Sequence, residues 1–328
     1  MNRTYQSLCF SALVFIWPVL AFSQAGGDAY PAKTVTIINA AVPGGSTEAE
    51  MRLYTQKISD STGRPFVIDF KPGAGGTIGV AYVAKSAPDG YTLLLADGNF
   101  TSAPAFYKEL PYDAARDFAS ISLISKRPTV LMIHPSLPIK TATEYFAFAR
   151  ANPGKLNFGT VGAGSTTHMN GAWMHSAAKV MVTFVHYKGT GAMMPDLLAG
   201  RIHATAITFL SSLPHIKAEK MRALGITTSE RSKLWPELPT VEEQGAPGYD
   251  YSSWIGIVAP AKTPTPIIEK LNAELAKATQ DPGINKKLTS EFVQIVASTP
   301  DQASRFFRED VDRWRRMADV IGVKEAPQ

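Results

Sequence analysis

Along the chain, apolar positions cluster in short β-branched runs, each followed by a Gly-rich turn and a helical stretch. Val35-Thr36-Ile37-Ile38 reads as a buried strand that leads into Pro43-Gly44-Gly45-Ser46-Thr47, with a helix from Ala49 to Ser59. Phe66 to Phe70 is a second strand, followed by Pro72-Gly73-Ala74-Gly75-Gly76 and a helix through Ala84. After the turn Pro88-Asp89-Gly90, Tyr91 to Ala96 is a third strand. The middle of the chain repeats the scheme. Leu156 to Thr160 is a strand before Gly162-Ala163-Gly164-Ser165-Thr166-Thr167-His168, and a helix runs on through Ala178. Val182 to Val185 is a strand before Tyr187-Lys188-Gly189, Met193 to Ala199 is helical, and Ala204 to Thr208 and Arg222 to Ile226 are strands. Strands separated by helices of this length predict parallel α/β units. Ligands of such sheets bind beyond the carboxyl ends of the strands, where these loops lie.

Two stretches break the pattern. Ser120 to His134 is apolar and β-rich with Pro128 inside it, and Trp235 to Pro260 is extended and rich in Pro and Gly. Both read as crossings between two lobes. The helices Ile267 to Thr279 and Asp301 to Val320 then return to the first lobe, with Asp301 as the expected N-cap of the second. The division is residues 30–125 for lobe 1, 126–253 for lobe 2 and 254–328 for the return. A chain of 328 residues suits two lobes at about 100–200 residues per domain. No short fixed repeat is present, which excludes a solenoid.

The first two dozen residues are of another kind. Arg3 is followed by an apolar, uncharged run from Leu8 to Phe22, then small residues at Ala21-Phe22-Ser23. This is a secretory signal with cleavage near Ser23, which predicts a periplasmic protein. The single cysteine, Cys9, lies inside it, so the mature chain has no disulfide and no thiolate chemistry. The formal net charge of +5 comes from 33 basic and 28 acidic residues spread along the chain. No basic stripe with interleaved aromatics appears, which argues against a nucleic-acid partner. A mild positive bias suits an anionic ligand.

Chemistry is expected where Gly-rich loops open helices. Backbone N–H groups there are unpaired, and the helix dipole adds positive potential, so such a terminus binds anions without an arginine. Gly44 and Gly45 allow close approach, and Ser46 and Thr47 add hydroxyls. Gly164, Ser165, Thr166, Thr167 and His168 do the same in the second lobe. Each loop alone reads better as ordinary N-capping; two in opposed lobes point to a shared carboxylate site. Gly75, Asp97, Tyr187 and Thr208 complete the candidate set. A competing reading takes Gly73-Ala74-Gly75-Gly76-Thr77-Ile78-Gly79 with Asp97 as an NAD(P) fingerprint of an oxidoreductase, but the third glycine falls one place late. Ser165 and His168 lack the flanking glycines of a nucleophile elbow. The six histidines form no ligand-spaced cluster, so no metal and no cofactor are expected.

Taken in order, these segments resemble the Bug family, the substrate-binding receptors of tripartite tricarboxylate transporters. The resemblance rests on Tyr30-Pro31-Ala32-Lys33, Pro43 to Thr47, Lys71-Pro72-Gly73-Ala74-Gly75-Gly76, Ala87-Pro88-Asp89-Gly90-Tyr91-Thr92-Leu93 and Leu110-Pro111-Tyr112-Asp113. It continues through Ala151-Asn152-Pro153-Gly154-Lys155-Leu156-Asn157, Tyr187-Lys188-Gly189, Leu213-Pro214-His215-Ile216-Lys217 and Pro239-Thr240-Val241. It implies a two-lobed, type II-like Venus-flytrap fold with two crossovers, and a small carboxylate ligand without catalysis. A membrane permease or a sensor kinase is the implied partner of a monomeric receptor. By position, Pro43 to Thr47 and Ser165 to His168 are the implied carboxylate loops. The sequence departs from the family pattern at Glu48, where Asp is usual, at Phe70, where Asn is common, and at Ile207-Thr208-Phe209-Leu210-Ser211, where an acid or amide is common. These departures predict a ligand without an amino group, with an apolar body against Phe209 or Phe100.

Overall fold

The computed structural model describes residues 30–321; the signal segment and Cys9 lie outside the described residues. Strands β1 (Val35–Asn39), β2 (Phe66–Phe70) and β3 (Thr92–Asp97) are parallel in the order β2-β1-β3. The strand β4 (Phe118–Ile133) follows. Three further strands, β5 (Asn157–Thr160), β6 (Thr183–His186) and β7 (Ala204–Thr208), repeat the parallel arrangement as β6-β5-β7. β7 is buried at every position, β1 at all but Thr36 and β3 at all but its two ends, which is why their sequences run largely apolar or small instead of alternating.

β4 joins the two halves. Its residues Phe118 to Pro128 pair antiparallel with β9 (Ser252–Pro260), which pairs in turn with β3. From Thr129 onward it pairs with β7 on one side, and from Val130 with β8 (Arg222–Ile226) on the other. One strand of 16 residues, about 50 Å long at the usual rise, therefore runs through both sheets. The second passage is shorter than the extended stretch expected from sequence, since only Ser252–Pro260 of it is strand. The passages are tied where they meet. Thr227 N–H donates to the Thr129 carbonyl at 3.0 Å, Thr129 N–H to Thr227 Oγ1 at 3.1 Å, and Thr227 Oγ1 to the Tyr251 carbonyl at 2.8 Å. A short strand β10 (Gln294–Ile295) adds to β4 at Ser125 and Lys126.

Helices cover both sheets. α1 (Ser46–Thr62) and α6 (Thr190–Leu198) begin about one turn before the expected starts at Ala49 and Met193. Their first turns face open space rather than core, so no apolar periodicity marks them. α2 (Thr77–Ala84) follows a 3-10 turn at Ala74–Gly76, and α5 (Thr166–Ala177) and α8 (Thr265–Thr279) fall close to expectation. Four helices were not legible: α3 (Gly98–Phe106), α4 (Ala142–Ala151), α7 (Phe209–Lys217) and α9 (Pro282–Ser290). α3 and α7 carry an internal proline, Pro104 and Pro214, which in sequence reads as a break.

The last helix, α10 (Pro300–Ile321), starts one residue earlier than read. Asp301 is therefore in its first turn and is not the cap. Thr299 caps instead: its Oγ1 accepts from Gln302 N–H at 3.3 Å, and Gln302 Oε1 accepts from Thr299 N–H at 3.0 Å, a reciprocal capping box. α10 also does more than return to the first sheet. Phe307 packs in the first-sheet core beside Phe100 and Trp254, while Trp314, Met317 and Ala318 join a cluster with Leu131 and Phe158 of the second. At its centre Asp310, 2% exposed, accepts from Trp254 Nε1 at 3.1 Å and Trp314 Nε1 at 3.2 Å, as well as from Thr101 and Arg313.

Candidate functional site

The carboxyl ends of all six parallel strands open onto one cavity of about 640 Å³ between the two halves. β1 supplies Ala40 to Pro43 and the start of α1; β2 supplies Pro72, Gly73, Gly75 and Gly76; β3 supplies Asp97 and Asn99. From the other sheet come Val161 to Ala163 with Ser165 after β5, His186 to Gly189 around the end of β6, and Thr208 and Ser211 after β7. The volume is within the range of small-molecule sites, about 300–1,000 Å³.

The helix starts that meet here differ in how they are capped. α1 begins at Gly45, α2 at Gly76, α6 at Gly189 and α7 at Thr208, and none of the four has a side-chain cap hydrogen bond. Glycine has no side chain to offer, so the first amides of α1 and α6 have no capping partner and carry the positive end of the helix dipole. α3 and α5 are capped: the Asp97 carboxylate accepts from Asn99 N–H at 2.9 Å, and Ser165 Oγ accepts from His168 N–H at 3.3 Å.

Of the residues singled out from sequence, Pro43, Gly45, Ser46, Thr47, Gly75, Asp97, Ser165, Thr166, Thr167, Tyr187 and Thr208 all line this cavity. Gly44, Gly164 and His168 do not line it, and the amides of the two glycines are already used. Gly44 N–H donates to Glu48 Oε2 at 2.7 Å, and Gly164 N–H donates to His168 Nδ1 at 3.1 Å. Glu48, the departure from the family's Asp, thus pins the α1 loop from its own helix. The Gly44 amide, with help from Arg52, holds its carboxyl below the usual range. Tyr187 lines the cavity, but its hydroxyl donates to Asp196 at 2.8 Å. Asp97 is spent on its cap, which is not the ribose-facing role of a dinucleotide site, and withdrawal from water raises its carboxyl against the pull of Asn99 and Arg127. Ser165 Oγ donates to the Gly162 carbonyl at 2.7 Å and contacts Thr167 Oγ1, so it is not paired with the His168 ring.

The expected apolar contacts are elsewhere. Phe209 is 1% exposed and stacks on Phe292, ring centroids 4.0 Å apart, while Phe100 packs edge-on against Phe118 and Phe307. Neither lines the cavity. Sequence reasoning also missed Asn99, Arg127, Asn170 and Ser253 in the cavity wall. Arg127 did leave a signal: a charge inside the apolar run Ser120 to His134 is costly unless it has a use.

The halves touch at the rim. Asn99 Oδ1 accepts from Thr166 N–H at 2.9 Å, a Cβ on Gly98 would stand 2.7 Å from Thr166 Cγ2, and a Cβ on Gly189 would stand 2.5 Å from Val42 Cγ2. The two halves are thus in contact across the cleft.

Two histidines behind the cleft have a pH consequence. Burial pushes His168 down to about 4, helped by neighbouring His186, and burial pushes His175 down to about 4 against the Gly171 carbonyl. Unfolded, each would titrate near about 6.5. Between those values the unfolded chain binds more protons, so stability rises with pH through that window and is lost as pH falls from about 6.5 toward 4. Urea unfolding should show a lower midpoint at about pH 5 than at pH 7, with part of the drop removed in His168→Gln. Equal pH dependence in native protein and variant contradicts this.

Among the described residues, no group of three or more His, Cys, Asp or Glu side chains is placed to hold a metal ion. The profile of the tripartite tricarboxylate transporter family receptor (TctC) matches residues 51–323. Protein BugT of Bordetella pertussis is 32% identical over 316 residues, covering 95% of this chain and 96% of its own. An R. palustris protein solved with adipate matches with a TM-score of 0.85 at 32% identity, over 90% of this chain and 99% of that one. MatC from Rhodopseudomonas palustris, with bound malate, matches with a TM-score of 0.83 at 30% identity, over 89% and 100%. These relatives are binding proteins rather than enzymes, which removes the oxidoreductase reading of the Gly73 to Gly79 loop. The two-lobed fold, the cleft between its halves and these matches place the chain in the TctC family, the Bug proteins: it belongs to the periplasmic solute-binding receptors of tripartite tricarboxylate transporters.

Proposed function

We propose that the cleft captures a small carboxylate whose oxygens are held by the uncapped first turns of α1, α6 and α7, one from the first half and two from the second. The observation that carries this is the convergence of uncapped helix starts from both halves on one cavity. Pro43, Gly45, Ser46, Thr47 and Gly75 contribute from one side, and Ser165, Thr166, Thr167 and Thr208 from the other. A ligand touching both sides binds only the closed form and shifts the population toward it. Adipate and malate in the two solved relatives are of this chemical class.

The working division is residues 30–125 with 254–328 as one lobe and 126–253 as the other, after removal of the signal near Ser23. It is supported by the change of β4's partners between Pro128 and Thr129. The closed monomer is the form offered to a membrane permease. A sensor kinase reading the same form is the second possible recipient, and the family's transporter description favours the permease.

A thermal-shift screen of the mature chain against mono- and dicarboxylic acids tests this. A binder at about a hundredfold excess over its Kd should stabilise by roughly 2.7 kcal/mol. Thr47→Ala should then weaken binding by about 1–3 kcal/mol if its hydroxyl donates to the carboxylate. No stabilisation by any acid of a broad panel defeats the reading.

A further inference from the structure

Arg127 lies on β4, one residue before the Pro128 at which that strand leaves its β9 partner, and is 2% exposed while lining the cavity. Its guanidinium is poorly satisfied. Nη2 donates to Ser253 Oγ at 3.1 Å, the Trp254 carbonyl at 3.3 Å and Thr47 Oγ1 at 3.4 Å. Nε and Nη1 have no hydrogen-bond partner at all. Its neighbouring anion is Glu50 of α1, 0% exposed, whose Oε2 stands 3.6 Å from Nη1: within ion-pair range but beyond a hydrogen bond. That oxygen is unpartnered too, while Oε1 accepts from Ser125 Oγ at 2.6 Å and Tyr54 hydroxyl at 3.5 Å. A buried arginine normally fills its donor fork with a bidentate acceptor. Here it adjoins Thr47 and Ser253, both cavity residues, beneath the uncapped start of α1.

We propose that Arg127 is a specificity-determining residue of the cleft: its guanidinium takes a second acidic group of the ligand, and Glu50 is the resting counter-ion that this group partly displaces. The proposal rests on the carboxylate reading above and assigns the ligand's other end. It carries a linked proton. Once the guanidinium is shared with a ligand anion, Glu50, 0% exposed, loses compensation and takes up a proton from solvent. The groups facing Glu50 are Tyr54 on α1, Ser125 and Arg127 on β4, and Glu291 after α9, with Asp97 acting on Arg127 from the end of β3. Burial already raises the Glu50 carboxyl against the pull of Arg127, and Glu291 pushes the same way as burial. Glu291 is itself raised by burial, with Lys287 and Lys217 opposing. Affinity should therefore rise as pH falls through the Glu50 range, until the ligand's own carboxylates protonate near about pH 4–5.

The test is calorimetry on the mature chain with succinate, glutarate and adipate beside butyrate, valerate and hexanoate, each in two buffers of different ionisation enthalpy. Native protein should bind the best diacid at least about 10-fold more tightly than its monoacid counterpart, with proton uptake for the diacid alone. Arg127→Gln should bring that ratio close to one. Glu50→Gln, which keeps shape and removes the charge, should retain or tighten diacid binding and abolish the proton uptake. If none of the six acids binds native protein, the carboxylate reading falls and the Arg127 assignment with it. If acids bind with no diacid preference, or a folded Arg127→Gln loses both classes equally, the Arg127 assignment alone is overturned. Should Arg127→Gln fail to fold, Glu50→Gln decides: proton uptake that persists there overturns the proposal.

Discussion

Asp310→Ala is expected to cost about 3–5 kcal/mol of folding stability, more than any other single substitution considered for this chain. The carboxylate is 2% exposed and gathers donors from three elements: Thr101 of α3, Trp254 of β9, and Arg313 and Trp314 of α10. Removing it leaves two buried indole N–H groups without acceptors, leaves the Thr101 hydroxyl only the Gly98 carbonyl at 3.2 Å, and removes the counter-charge of Arg313. Each stranded donor costs about 1–3 kcal/mol. Asp310→Asn keeps the volume and one acceptor oxygen, so its loss should be smaller. Urea unfolding of both variants reads this directly. An Asp310→Ala midpoint within error of native would show that the cluster relaxes around the gap. Because α10 also packs Trp314 into the second-sheet core, ligand affinity should fall along with stability.

Gly189→Ala should weaken ligand capture by roughly 5–150-fold while leaving the melting temperature of the empty protein nearly unchanged. The backbone of Gly189 has φ 175°, an extended conformation open to any residue, so strain is not the cause. The cause is the cleft. A Cβ there would stand 2.5 Å from Val42 Cγ2, a side chain of the facing half. Overpacking a tight contact costs about 1–3 kcal/mol, and here the cost falls only on the closed form. Val42→Ala in the Gly189→Ala background removes the methyl and should restore most of the affinity. Titration calorimetry of the single and double variants decides it, since a defect that Val42→Ala leaves untouched would place the damage in the α6 start itself.

Most of the secondary structure near the cleft was legible, and for a local reason. Ala204–Thr208 is buried throughout and Val35–Asn39 at every position but Thr36, so their composition carries the signal without help from neighbours. The loops after them were legible because glycine and hydroxyl residues at helix starts act through the backbone, which is always present. What failed was anything that depended on which side chain reached which amide. Gly44 and Gly164 carry the right residue type, yet Glu48 and His168 satisfy their N–H groups from one turn further along. Gly45 and Gly189 have no such neighbour and remain uncapped. Phe209 and Phe100 were expected beside the ligand; packing against Phe292 and Phe307 took them into the interior instead.

By itself the sequence determined that the chain is two α/β halves with anion-ready loops at the carboxyl ends of their strands, because propensity, periodicity and Gly/Ser/Thr turn chemistry are properties of contiguous residues. Only the tertiary structure decided that β4 serves both sheets, that α10 ties the two cores together, and that Arg127, Asn170 and Ser253 meet Thr47 in one cavity. Those facts follow from strand register and from contacts between residues as far apart as Thr47 and Ser253, and no local pattern encodes a contact whose two partners are brought together only by folding.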